Sequence, residues 1–352
     1  MKILVTGCTG FLGPELLEHF KLQTHHHFYL VTRQPEKNYI SLAIKDFPHI
    51  ELVSGDITRP DVLIDSELMN KLIDEVEIIL HAAAYYDLAG SYSSCFMYNV
   101  VGTQNMIFLA KRMKKLKYFH YVSTVAVAGD YSETMPEKFL ELGQKYSNHY
   151  AKTKADAEKM VREAIAYLPQ IRIYRLGILI GNSVDGEMAK LDGPYYFTHA
   201  ISQLLQDMPL IKRLPVLIMP FHANSLLPII PVDYAAKFIT HAMEHPSEDE
   251  KCVTYHVISD QCPNLEGLLQ DILQAFGLKM KVIGFPRHQM IGPVFKAMKL
   301  PPELIDYMYA TTTYDIRNRN QDYSDIPLGR YHDYKEAFIK GALEREKSLE
   351  AK

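Results

Sequence analysis

Along the first half of the chain, short runs of apolar and β-branched residues alternate with stretches in which apolar residues recur every three or four positions. Residues 2–6 (KILVT) read as a strand buried on both faces, and residues 11–21 follow with helical spacing. The same reading gives strands at 28–32, 50–53, 77–81, 118–122 and 171–174, and helices over 65–74, 96–115 and 148–167. Strand and helix in alternation predict an α/β fold whose parallel sheet carries helices on both faces. From about residue 181 the rhythm loosens, and prolines and aromatics crowd in, as in Gly193-Pro194-Tyr195-Tyr196-Phe197. Residues 256–258 read as one more strand, 264–276 as a helix, and the charged tail from about 331 as helical. The expected organisation is a sheet domain over 1–180, to which 225–260 returns. A smaller α+β substrate-binding region with the C-terminal helices occupies 181–352.

Composition narrows the classes. At 352 residues the chain can hold more than one core. A formal charge of -4 sets up no field for nucleic acid, and the basic spots at 111–117 read as a solvated helix face. Four cysteines without CxxC or zinc-ligand spacing fit a reduced, cytoplasmic setting. No leader peptide is visible ahead of the first strand. The longest apolar tract, 214–232, is broken by Pro215, Pro220, Pro228 and Pro231 and cannot make a spanning helix. His25, His26 and His27 stand together; a metal site would need more distant partners that the sequence does not identify, so they read as a polar loop and no metal is expected. The expected partner is a small-molecule substrate, with a homodimer left open.

The candidate chemistry begins between the first strand and the first helix, at Thr6-Gly7-Cys8-Thr9-Gly10-Phe11-Leu12-Gly13. A glycine at each of Gly7, Gly10 and Gly13 suits, in turn, a tight turn, the approach of a pyrophosphate to the backbone, and close packing of the helix. The anion then sits at a helix N-terminus, where free N–H groups and the dipole favour it. This is the fingerprint of a Rossmann doubly wound sheet, and strand-before, helix-after is the context that gives it weight. At the end of the second strand stands Arg33, with Lys37 nearby and no carboxylate for a ribose 2′-hydroxyl. Arg33 can meet a 2′-phosphate with paired donors, so NADP(H) is favoured, with NAD(H) the other option. Asp56 and Ile57 at the third strand's end suit the adenine amino group and ring, and Ala82, Ala83 and Ala84 after the fourth strand leave room for a ligand.

Tyr150 and Lys154 lie at i and i+4 of a helix that follows the fifth strand. A free phenol has a pKa of about 10; a neighbouring ammonium favours its phenolate, so the pair can exchange a proton with a substrate oxygen. Ser123 and Thr124 end the fifth strand. Either hydroxyl could hold that oxygen, but adjacent strand residues face opposite ways, so at most one points to the site.

Taken together, TGxxGxxG, Asp56-Ile57, the HAAA run, Asn99-Val100-Val101-Gly102-Thr103, Ser123-Thr124 and YxxxK resemble the extended short-chain dehydrogenase/reductase family across about residues 1–260. Within it the chain looks most like the fatty acyl-CoA reductase and thioester reductase ("male sterility") branch. That likeness rests on TGxxGFLG, on residues 122–129 (VSTVAVAG), and on the stretch from Gly186-Glu187-Met188 to Tyr196. The resemblance implies that Tyr150 is the acid/base and that Lys154 holds the nicotinamide ribose. It puts the active hydroxyl on Thr124 rather than Ser123. It also implies that the amides of Phe11 and Leu12 help cradle the pyrophosphate, and that Asn99 ties its helix to the cofactor-side loops. Arg175-Leu176-Gly177 departs from the family's usual Arg-Pro at the loop that contacts nicotinamide, which puts the backbone at Gly177 in doubt. The implied activity is NAD(P)H-dependent hydride transfer at a carbonyl or alcohol of a lipophilic, acyl-thioester or aldehyde substrate. The apolar 214–231 segment is the candidate pocket lining. A nucleotide-sugar epimerase or dehydratase with bound NAD, and a non-catalytic NADPH-sensing regulator, are the competing readings.

Overall fold

The computed structural model describes the chain except for residues 36–38, 64, 139, 189–192, 248–249, 288–291, 293–294, 296–299 and 351–352. Lys37, and the middle of the stretch between Met188 and Gly193, fall outside the described residues. Thirteen strands are described. In chain order they are β1 (Lys2–Thr6), β2 (His27–Thr32), β3 (Ile50–Ser54), β4 (Ile78–His81), β5 (Tyr118–Thr124), β6 (Thr134–Met135), β7 (Ile171–Leu176), β8 (Ile178–Ile180), β9 (Val216–Met219), β10 (Ile229–Pro231), β11 (Cys252–Val257), β12 (Lys281–Gly284) and β13 (Thr313–Tyr314). Seven form one sheet in the order β11-β7-β5-β4-β1-β2-β3, every neighbour parallel. This is the doubly wound Rossmann order, with its switch point between β1 and β4.

The strands read as continuous apolar runs because both faces are covered. Six consecutive residues of β5 and all six of β7 are buried. One face packs against helices Gly13–Leu22 and Val232–Glu244, through Leu16, Leu17, Phe20, Phe238 and Ile239. The other packs against Ser66–Glu75, Gly102–Arg112 and His149–Glu163, through Leu72, Met106, Ile107 and Val161. Each such apolar side chain, once buried, contributes about 1.5–3 kcal/mol. A separate core joins helices Tyr195–Asp207, Leu265–Ala275 and Tyr331–Glu350 to the β9–β12 pair through Tyr195, Phe197, Leu217, Leu269 and Phe338.

Two elements differ from the expected reading. The helix expected over 96–115 starts at Tyr92, widens to a π-helical turn over Phe96–Val101 and resumes as α-helix over Gly102–Arg112. The apolar 214–231 tract divides: Val216–Met219 pairs with β12 away from the sheet, while Ile229–Pro231 pairs with β8 as an extension beyond β7. Because all seven strands run the same way, the loops after β1, β4, β5 and β7 meet along one edge.

Candidate active site

The turn after β1 closes with Gly10 N–H donating to the Gly7 carbonyl at 3.0 Å and Gly13 N–H to the Gly10 carbonyl at 3.2 Å. Gly7 has φ +90, and a Cβ there would lie 2.5 Å from the Ala82 carbonyl carbon. A Cβ at Gly13 would lie 1.8 Å from the Cys8 carbonyl oxygen. Both positions therefore exclude any side chain, and the resulting turn opens the helix Gly13–Leu22 with its amides toward the crevice. Gly10, Phe11 and Leu12 border a cavity of about 680 Å³, while Thr9 is exposed. The turn is a cradle of the size and polarity a pyrophosphate needs, so the residues present fit a dinucleotide.

β1 and β4 are locked side by side at this edge. The Thr6 hydroxyl lies 2.8 Å from His81 Nδ1 and accepts from Ala83 N–H at 3.3 Å. His81 Nε2 lies 3.1 Å from the Thr103 hydroxyl. Burial, then the Lys154 charge, push the imidazole down to about 3, so it is neutral and acts as a brace. The alanine run alternates: Ala82 and Ala84 border the cavity, whereas Ala83 packs against the helix layer. Of the three, Ala83 is thus a packing residue.

The Tyr150 helix starts where Asn148 caps it, its side-chain oxygen accepting from Ala151 N–H at 2.8 Å. Tyr150 falls in the first turn and Lys154 one turn on. Both line the cavity, with Thr124 and Gly177. Tyr150 is only 7% exposed, so its phenol faces the cavity rather than bulk water, and its ring meets Tyr86 edge to face at 4.8 Å. Lys154 Nζ donates to the Tyr121 hydroxyl at 2.9 Å and to the Val122 carbonyl at 2.7 Å. Burial draws this ammonium down to about 7, against the opposing pull of Glu158.

The two strand-end hydroxyls divide as pleating requires. Thr124 borders the cavity, and its Oγ1 accepts from Ala126 N–H at 3.2 Å. The Ser123 hydroxyl turns the other way and donates to Glu158 at 2.6 Å. Ser123, put forward beside Thr124 as a catalytic hydroxyl, also borders the cavity, but its hydroxyl is engaged in a buried ionic cluster. In that cluster Glu158 lies 2.8 Å from Arg175 and 2.9 Å from Arg162. Burial alone would raise the Glu158 carboxyl, but Arg175, Arg162 and the Ser123 hydroxyl hold it down at about 2.

The remaining sequence candidates sit around this frame. Asn99, on the π-helical turn, accepts from Tyr85 N–H at 2.8 Å and donates to Thr153 at 3.1 Å, joining the loop after β4 to the Tyr150 helix. It ties elements together and is not among the cavity-lining residues. Asp56 accepts from Thr58 N–H and hydroxyl at 2.9 and 2.8 Å, and Ile57 is buried against Gly102. Arg33 is exposed just past β2, donating to the Tyr98 hydroxyl at 3.0 Å. Gly177 is set by its N–H bond to Val257 and by a backbone so close to Pro228 that a Cβ would lie 2.3 Å from that carbonyl oxygen. Of the apolar tract, only Leu226, Leu227 and Pro228 reach the cavity. The sequence reading missed Leu304 and the run from Tyr307 to Thr312, which also line the cavity and lack a periodic signal.

A glycine cradle at the β1–β4 switch point, with a tyrosine–lysine pair on the facing wall, defines an extended short-chain dehydrogenase/reductase fold. Within that class the chain belongs to the NAD-binding male sterility protein family, whose model matches residues 5–239. The chain is 24% identical over 306 residues to glycine betaine reductase of Emericella nidulans, covering 81% of this chain and 22% of that protein. It is 27% identical over 236 residues to carboxylic acid reductase of Mycobacterium marinum, covering 57% of this chain and 20% of that protein. The chain thus spans about a fifth of the length of these curated relatives. Among solved structures, the terminal R domain from the myxalamid PKS-NRPS biosynthetic pathway matches with a TM-score of 0.75 at 24% identity, covering 98% of this chain and 91% of that one. No described helix is long and apolar enough to cross a membrane.

Proposed function

We propose that the chain is an NADPH-dependent reductase of acyl thioesters or of the aldehydes derived from them. The observation that carries this is a single cavity lined by Tyr150, Lys154 and Thr124, by Gly10, Phe11 and Leu12 of the glycine turn, and by apolar side chains such as Phe197, Leu227 and Met308. The nicotinamide would supply the hydride. The protein's part is to bind, orient and move one proton. Tyr150 donates that proton to the substrate oxygen as the carbonyl carbon is reduced, and Thr124 holds the same oxygen. Lys154 presents a donor to the ribose and favours the phenolate left on Tyr150. An acyl thioester, NADPH and a proton would give an aldehyde, a thiol and NADP⁺; an aldehyde would give an alcohol. Arg33 past β2, with no carboxylate there, supports the 2′-phosphorylated cofactor. The apolar lining favours an acyl chain over a nucleotide sugar, and the reductase names of the relatives agree with it.

The test is NADPH consumption, followed at its absorbance band, with long-chain acyl thioesters, aldehydes and ketones, set beside UDP-sugars with NAD. Turnover of thioester or aldehyde by NADPH supports the reading. Interconversion of a UDP-sugar without net NADPH loss overturns it in favour of an epimerase. Tight NADPH binding without turnover of any member of the panel would favour a sensor.

A further inference from the structure

At the opposite end of β2 from the cofactor crevice, His25 and His26 converge with Glu244 on one point. His25 Nε2 lies 3.2 Å and His26 Nε2 3.6 Å from the same carboxylate oxygen of Glu244, and the two rings stand 4.0 Å apart. Ligands held by a tetrahedral Zn²⁺ at about 2.0–2.1 Å lie roughly 3.3 Å from one another, close to these two nitrogen–oxygen distances, and the three ligand atoms all lie within 4.8 Å of one another. His26 is 6% exposed, and its Nε2 has no hydrogen-bond partner among the described residues, although it points into the cluster. A buried, unsatisfied ring nitrogen is unfavourable unless something fills its lone pair. Glu244 is the last residue of its helix, where the helix dipole and the carboxylate both favour a cation.

We propose that His25, His26 and Glu244 form a divalent-metal site of zinc-like preference, with an open fourth position on the exposed His25 side. Two neutral nitrogens and one carboxylate oxygen suit Zn²⁺ and disfavour Ca²⁺ or Mg²⁺, which take all-oxygen sets. β2 is six residues long, so the site lies roughly 20 Å from the crevice, too far to touch the reacting atoms. Its role is a clip that fastens the turn before β2 to the end of the helix Val232–Glu244, both parts of one core.

The test uses the full chain without an affinity tag, freed of metal by a chelator and then titrated with Zn²⁺ against a chromophoric competitor. About one Zn²⁺ per chain and a zinc-dependent rise in Tm are expected. His25→Ala and Glu244→Gln, both at partly exposed positions, should each weaken uptake by at least about 100-fold and remove the Tm rise, since even outer-shell losses cost about 10–100-fold. Tm in chelator and NADPH binding should stay unchanged. Uptake equal in both variants and the parent chain, or a parent Tm insensitive to zinc, overturns the proposal. So does uptake lost only in His241→Ala or His245→Ala, whose rings lie 4.8 Å apart in the last turn and at the C-cap of the same helix.

Discussion

Lys154 and Tyr121 are joined by a hydrogen bond of 2.9 Å inside a fully buried pocket beneath the crevice. With the Val122 carbonyl as its second acceptor, the ammonium uses two of its three donors on the protein, and Lys154 also borders the cavity. Tyr121 is therefore a positioning residue: it touches neither the glycine cradle nor the cavity and acts through Lys154.

This arrangement sets a pH dependence. Burial brings the Lys154 ammonium down to about 7, so the free enzyme loses that charge as pH rises through neutrality. kcat/KM for the carbonyl substrate is expected to fall above about pH 7. Tyr121→Phe removes one acceptor from the ammonium and should move the limb to lower pH; an unchanged limb would separate it from Lys154. The stability consequence has a definite sign. Between about pH 7 and the lysine's ordinary 10.5, the unfolded chain binds a proton that the native one does not, so stability rises with pH there. Lys154→Met is expected to raise the Tm of the cofactor-free protein more at pH 6 than at pH 10, while abolishing activity. An equal Tm gain at both pH values would contradict this.

Glu158 gives the opposite slope. Its carboxyl is held at about 2 against an ordinary 4.5, so its contribution is complete above about pH 4.5 and is lost as pH falls toward 2. Glu158→Gln leaves Arg175 buried without its counter-charge and should reduce stability at pH 7 by about 3–5 kcal/mol. Urea unfolding should show this gap narrowing as pH falls below about 4. A loss below about 1 kcal/mol at pH 7 would mean that the cluster is not the brace its geometry describes.

Gly7→Ala probes the cradle. The new Cβ meets the Ala82 carbonyl at a backbone φ of +90, a combination expected to cost about 1–3 kcal/mol. NADPH affinity, read by fluorescence quenching, should drop at least tenfold while far-UV circular dichroism is retained. Unchanged affinity would place the pyrophosphate elsewhere.

Arg33→Ala tests the cofactor preference. Loss of a charge-assisted contact to a 2′-phosphate is worth about 1.5–3 kcal/mol, so KM for NADPH should rise about 10- to 100-fold with KM for NADH unchanged. A parallel rise for both cofactors would assign Arg33 to its Tyr98 contact instead.

The sheet was legible in the chain because its signals are local. Runs such as those forming β1 and β5 are apolar on both faces, and the glycine spacing at Gly7, Gly10 and Gly13 needs no distant partner. The Tyr150–Lys154 spacing was legible for the same reason, and pleating alone predicted that the Ser123 and Thr124 hydroxyls would take different partners. What stayed hidden depended on tertiary contact. Glu158 stands one turn beyond Lys154 in a charged helix and looks solvated until Arg175, from β7, is brought against it. Tyr307 and Met308 reach the cavity from some 150 positions downstream of Tyr150, out of a segment with no helical or strand period. The partner of the histidine run, Glu244, is likewise supplied by a helix more than 200 residues away.

The most direct measurement is single-turnover oxidation of bound NADPH by a saturating acyl thioester or aldehyde in Tyr150→Phe, with NADPH affinity measured on the same sample. Loss of the general acid should slow the step by about 10²–10⁴-fold while the affinity for NADPH stays within twofold. A variant that reduces the substrate at the parent rate would show that the Tyr150 phenol does not deliver the proton.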